Sequence, residues 1–132
     1  MMLETETTNF EWFAVFVALN TLILLILGMN ISRLRMTQKI PYGDGGYRPL
    51  MQAIRAHGNG VEHTTIFALV VLALTFLDMA TLGLAGLVLV FTFARLLHAY
   101  GMLYKNFNAR RLGAALTFFL QGIAVLIILV SL

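Results

Sequence analysis

Four long apolar runs decide most of what this chain can fold into. They lie at residues 10–31, 61–77, 80–103 and 112–132. Each approaches or passes the roughly 17–25 residues that a helix needs to cross a hydrocarbon core of about 30 Å. In lipid every backbone N–H and C=O has to be satisfied within the segment, and over such lengths a helix is the cheap way to do it. The expected fold class is therefore all-α: an integral membrane four-helix bundle, one domain over residues 1–132. Composition agrees. Hydrophobic residues make up 60% of the chain and charged ones 11%, where a soluble domain carries about 25% charged. The mean hydropathy is +0.87. The first run is too long, and too poor in basic residues at its front, for a cleaved signal peptide.

The charges are unevenly placed. Arg33, Arg35, Lys39 and Arg48 stand in or beside the connection after the first run, with Arg55 close by. Lys105, Arg110 and Arg111 stand in the connection after the third, with Arg95 towards that end. The N-terminal segment has Glu4, Glu6 and Glu11 but no Lys or Arg, and the second turn has only Asp78. By the positive-inside rule both basic connections are cytoplasmic and both termini outside. Trp12 then sits where an interfacial anchor belongs. The pI near 9.7 is a consequence of topology, and no nucleic-acid partner is expected. With no cysteine, the chain has no disulfide framework, thiolate nucleophile or thiolate metal site.

The connection after the first run, "SRLRMTQKIPYGDGGYRP", holds the only two prolines and a "YGDGG" turn signal. Pro49 suits the first turn of a helix. The second helix is therefore expected to run over residues 48–77, longer than the bilayer core requires.

That helix carries a polar stripe: Arg48, Gln52, Arg55, Asn59 and Glu62, at steps of 4, 3, 4 and 3. Such steps keep five polar side chains on one helix face. Glu62 lies well inside the apolar half, where a charge costs roughly 2.5–3.5 kcal/mol on insertion scales. It is expected to face the bundle interior and find a partner, with Arg55 two turns away and Asn59 between. One reading is a self-satisfied structural network. The other is a polar pocket for a small ligand of both charge signs, in which Arg55 forks a carboxylate, Glu62 takes an ammonium and Asn59 bridges an amide.

His57 and His63 are six residues apart, about 240° round a helix, and so cannot ligate one metal from one face. Their spacing matches no zinc-protease pattern, and no metal site is expected. On the third helix Arg95, His98 and Met102 share a face by their 3 and 4 spacing. Gly28, Gly83, Gly86, Gly113 and Gly122 lie in spans and would permit close helix approach.

"AIRAHGNGVEH" resembles the helix-two signature of the MAPEG superfamily, the membrane-associated proteins in eicosanoid and glutathione metabolism, and "FARLLHAYG" resembles its helix-three signature. The longer stretch "RLRMTQKIPYGDGGYRPLMQAIRAHGNGVEH" is similar to a bacterial inner-membrane branch of that superfamily. The resemblance spans almost the whole chain. It implies a homotrimer of four-helix bundles in a bacterial inner membrane, binding glutathione as cosubstrate at each subunit boundary near the cytoplasmic face. Position by position, Arg55, Asn59 and Glu62 match the family's glutathione-binding Arg, Asn and Glu. His57 matches a position that reaches in from the neighbouring subunit, and Arg35 a basic residue at the end of helix one. His63 and His98 stand at positions where family transferases have tyrosine, and Met102 at a third. Arg110, with Arg111 as the alternative, matches the arginine that faces the thiol.

Two functions follow from different classes. The first is a glutathione transferase or peroxidase acting on lipophilic small molecules that reach it from membrane lipid, with Arg110 stabilising the thiolate. The second is a non-catalytic binding or scaffold protein that uses the same pocket for an anionic metabolite or lipid headgroup. A proton-coupled transporter built on Glu62 is the third class, weakened by the absence of an inverted repeat.

Overall fold

A computed structural model describes residues 2–77 and 79–132, with side chains from residue 8 onward. Asp78 lies outside the described residues, and Glu4 and Glu6 outside the described side chains. Four helices follow one another: α1 (Met2–Gln38), α2 (Arg48–Thr75), α3 (Thr81–Leu103) and α4 (Phe107–Ser131). All four are long and apolar enough to cross a membrane.

Helix ends differ from the sequence expectation in informative ways. α1 runs well past residue 31, so Arg33 and Arg35 ride on its last turns. The chain leaves it through Lys39, which has a left-handed φ of 56°. α2 begins at Arg48 with Pro49 in its first turn, as the proline suggested, and closes at Thr75 rather than residue 77. At about 1.5 Å per residue, its 28 residues reach about 42 Å, some 12 Å beyond the hydrocarbon core. α4 starts at Phe107, not at residue 112, because the Asn106 side chain caps it by accepting from Ala109 N at 3.0 Å. Arg110 and Arg111 thereby move from a loop onto the first turn of a helix.

α3 is the centre of the bundle. It packs against α1, α2 and α4, whereas α1 and α4 do not meet among the described residues. Large hydrophobic side chains such as Leu25, Leu69, Phe93 and Phe118 point outward, the inverse of a soluble protein's surface. The half of the bundle near the α2–α3 turn is filled by aromatic and aliphatic groups. Phe67 and Phe91 stack at 4.1 Å between ring centroids, and Phe16 tilts against both at 5.8 and 5.5 Å. All three are fully buried. Asn20 crosses this core from α1, donating from Nδ2 to Thr92 Oγ1 at 3.0 Å.

The α3–α4 pair is the tightest. A methyl built on Gly113 would come within 2.5 Å of His98 N and 2.7 Å of Ala94 O. One built on Gly101 would run into the backbone of Arg110. Of the glycines expected to mediate close approach, Gly113 does so, while Gly86 and Gly122 face open space. Gly101 and Gly60 play that part instead, Gly60 against the Leu24 side chain.

Candidate functional site

The end of the bundle that carries the basic residues holds a recess of about 750 Å³. α2 supplies Arg48, Gln52 and Arg55, three members of the predicted stripe. The α3–α4 corner supplies Gly101, Met102, Lys105, Phe107 and Arg110. The close approach at Gly101 brings Arg110 to the wall opposite Arg55, since no side chain separates the two helices there. Asp44, from the "YGDGG" turn, completes the rim. Its Oδ1 accepts from Gly46 N at 2.9 Å, in a turn where Gly43, Gly45 and Gly46 all have positive φ. Four cations and one carboxylate therefore face a single recess of mixed polarity.

A second recess of about 990 Å³ lies between α1 and α2. It is mostly apolar, lined by Leu24, Gly28, Met29 and Met36 of α1, with Arg33 at its basic end and His57 and Val61 from α2. The His57 ring packs over Gly28, where a methyl would meet Nε2 at 3.6 Å. His57 is two residues from Arg55, about 200° round the helix. Arg55 and His57, the latter expected to reach in from a neighbouring subunit, thus lie on two faces of α2.

Deeper in the bundle the stripe itself divides. Asn59 turns inward and its Oδ1 accepts from Arg95 Nη2 at 2.6 Å. Arg95 is only 3% exposed. It also donates from Nη1 to Thr117 Oγ1 at 3.2 Å and meets His98 Nδ1 at 3.4 Å. His63 also turns inward, its Nδ1 3.3 Å from Gln121 Nε2 and its ring edge-on to Phe118.

Glu62 does not follow them. It is exposed on the surface of the chain, and the expected interior partnership with Arg55 does not form. Neither residue makes a hydrogen bond or ion pair within the chain among the described residues. The reason is angular. At about 100° per residue, Glu62 lies about 60° back from Asn59, while His63 lies about 40° forward. Asn59 and His63 therefore meet α3 and α4, and Glu62 stays at the open edge.

Arg35, expected at the site, is engaged in shaping the α1–α2 connection. Its Nη1 donates to Gly43 O at 2.7 Å and to Ile40 O at 3.3 Å. Arg111 lies beside the recess rather than on its wall, over the Phe107 ring at 5.4 Å. Among the described residues, no group of three or more His, Asp or Glu stands close enough to hold a metal. Sequence reasoning missed Asp44 and Lys105 as wall residues and Arg95 as the hub. Asp44 was read as turn chemistry, and only the fold of the connection over α2 brings it to the rim.

Comparison with known proteins bears on this arrangement. The model of the MAPEG family matches residues 13–130. Two Escherichia coli proteins, from strains K12 and O6:H1 (CFT073), are each 36% identical to the chain over 106 residues. The match covers 79% of this chain and 79% of each relative. Both bear the name inner membrane protein YecN. A four-helix membrane architecture, a basic recess framed by the two signature helices and a family match over nearly the full length lead to one assignment: this chain is a multi-pass membrane protein and belongs to the MAPEG family.

Proposed function

We propose that the protein binds glutathione in the basic recess and transfers it to lipophilic electrophiles that arrive from the membrane. The observation that carries this reading is the wall chemistry of the recess. Glutathione has two carboxylates, an ammonium, two amides and a thiol. Arg48, Arg55 and Lys105 offer cations for the carboxylates, Asp44 a carboxylate for the ammonium, and Arg110 a cation for the sulfur. A free thiol has a pKa near 8.5 and is mostly protonated at neutral pH. A guanidinium beside it favours the anion. Arg110 acts as an electrostatic stabiliser, because arginine is too basic to take the proton itself. The thiol proton leaves to water and the thiolate attacks an electrophilic carbon. As the C–S bond forms, the displaced electron pair moves onto the acceptor atom, which takes a proton from water. Peroxide reduction by two glutathione molecules would use the same thiolate.

The division of site residues between two sides of the bundle supports assembly from more than one copy, and the family resemblance makes that assembly a homotrimer. One copy presents Arg55, Asn59 and Arg110 on one side, and His57 and Arg33 on the other. Apposition of two copies brings the halves together and gives the exposed Glu62 a protein neighbour in place of lipid. In this reading the protein resides in a bacterial inner membrane, with both termini outside and the basic recess on the cytoplasmic side.

Met102 favours a second reading. It lines the recess where family transferases have tyrosine, and a thioether donates no hydrogen bond to a thiolate. A protein that binds glutathione or another anionic metabolite without turning it over would tolerate this residue.

The test is a thermal-stability titration of detergent-purified protein with glutathione, beside Arg55→Ala. A ligand that binds only the folded state raises stability by RT ln(1 + [L]/Kd). A saturable rise in wild type that is lost in the variant is expected. No rise at millimolar glutathione would overturn the glutathione reading. A rise without conjugating activity across an electrophile panel would select the binding-protein reading.

A further inference from the structure

We propose that Arg95 is a positioning residue that sets the hydrogen-bond polarity at the inner end of the ligand site, turning it into a donor-only surface that accepts carbonyl or carboxylate oxygens. The proposal rests on the functional reading above for the identity of the ligand, and on the geometry of the hub for the rest.

Arg95 is buried in the middle of α3, and its partners come from three helices: Asn59 of α2, His98 of α3 and Thr117 of α4. None of these partners is acidic. A guanidinium has donors only and no acceptor. Whatever faces it must therefore offer a lone pair. Asn59 meets it through Oδ1 at 2.6 Å, and the opposite amide orientation would set an NH2 against an NH2. His98 meets it through Nδ1 at 3.4 Å, so that nitrogen carries the lone pair and the ring proton resides on Nε2. Thr117 accepts from Arg95 and passes its own proton to Gly113 O at 2.8 Å. One buried cation thus fixes the orientation of an amide, the tautomer of an imidazole and the rotor of a hydroxyl.

The placement of these groups gives the polarity a consequence. Arg55 and Met102 line the basic recess. Asn59 and His98 do not line it; they stand one turn farther in on the same two helices, beyond Arg55 and Met102, and would meet the part of a ligand that reaches past those two. With Oδ1 and Nδ1 committed to Arg95, the groups left for a ligand are Asn59 Nδ2 and His98 Nε2, both donors. The expectation from sequence was that Asn59 bridges a peptide amide with both its donor and its acceptor, and the hub leaves the donor role. A polar cluster that served helix packing alone would need no cation. An arginine with no carboxylate partner among the described residues, deep in a membrane bundle, is an expensive way to hold three helices together.

Two measurements decide the matter. The first needs no ligand. In protein labelled with 15N-histidine, with the His98 signals assigned by loss in His98→Gln, the Nε2–H tautomer with an unprotonated Nδ1 is expected at neutral pH. That preference should be lost in Arg95→Gln. A ring protonated on Nδ1 in wild type, or a tautomer indifferent to Arg95→Gln, overturns the proposal. The second is Asn59→Asp, which keeps the acceptor that Arg95 uses and replaces the outward donor by an acceptor. The unliganded variant is expected to melt at or above the wild-type temperature, because it gains an ion pair, while glutathione binds at least tenfold more weakly. Wild-type affinity in Asn59→Asp overturns the proposal. If wild type itself shows no response to glutathione, the functional reading fails, and the His98 tautomer alone then decides the role of Arg95. If Arg95→Gln does not fold, the wild-type tautomer and Asn59→Asp still decide it.

Discussion

Gly113 packs so tightly on His98 that a single added methyl would come within 2.5 Å of the His98 backbone nitrogen. The obstruction is backbone, so no side-chain rotation relieves it. Gly113→Ala should therefore push α4 away from α3, at a cost of about 1–3 kcal/mol for overpacking, and pull Thr117 off Arg95. Gly122→Ala is the control, since nothing lies within 4 Å of its added carbon and alanine gains up to about 1 kcal/mol in helix propensity. Thermal unfolding of both variants in detergent is the measurement. The expected order is Gly113→Ala below wild type and Gly122→Ala at or above it.

Arg55 and Arg110 share the recess but have different work in the proposed reaction. Arg55 holds a carboxylate that is present throughout, so Arg55→Ala should weaken glutathione binding at least tenfold, about 1.4 kcal/mol. Arg110 faces charge that is fully developed only on the reacting sulfur. Arg110→Ala should lower kcat by about 100-fold, in line with the loss of one electrostatic stabiliser, with a smaller change in KM. Steady-state kinetics with an aromatic electrophile separates the two. Equal effects on kcat and KM in both variants would contradict the division of roles, and Arg111 would then be tested next.

Glu62 is exposed on an apolar stretch of α2 and has no hydrogen-bonding partner among the described residues of its own chain. A carboxylate facing lipid there would cost roughly 2.5–3.5 kcal/mol, so a second copy is the expected source of its partner. Glu62→Gln should loosen the assembly and leave the single-chain fold intact. Native mass spectrometry from detergent should show trimer in wild type and a shift towards smaller species in the variant. An unchanged distribution would mean that Glu62 is satisfied elsewhere.

The helices were legible because membrane helices need only length and apolarity, and Pro49 marked the start of α2 outright. The stripe was legible too, as a set of polar residues on one face. Its destinations were not. Glu62 stands three positions after Asn59, and a rotation of about 60° decides between an arginine in the core and the open edge. That choice depends on where α3 packs, which no local pattern encodes. The helix-three residues were legible as a cluster but not as a hub, because Arg95 earns its role from groups on three different helices. Asp44 was hidden for a related reason: its turn signal accounted for its type, and only the closed connection over α2 brought it to the recess.

The orientation of the bundle can be tested separately from its chemistry. Arg33, Lys39, Arg48, Lys105, Arg110 and Arg111 gather at the end where α1 finishes, α2 starts, α3 finishes and α4 starts. The opposite end has no Lys or Arg. Basic residues within about 15–20 residues of the span ends set orientation, so the basic end should be cytoplasmic. A reporter active only outside the inner membrane, such as alkaline phosphatase, should be active when fused after Leu132 and inactive when inserted at the exposed Tyr42–Gly43 turn. A fluorescent protein that matures only in the cytoplasm should show the reverse. Neutralising Arg33, Lys39 and Arg48 together should weaken the bias, because those residues lie in or beside the connection that the first hairpin presents during insertion. If the C-terminal fusion is inactive and the loop fusion active, the recess opens outward. A supply of cytoplasmic glutathione could not reach it, and the transferase reading would fall with the topology.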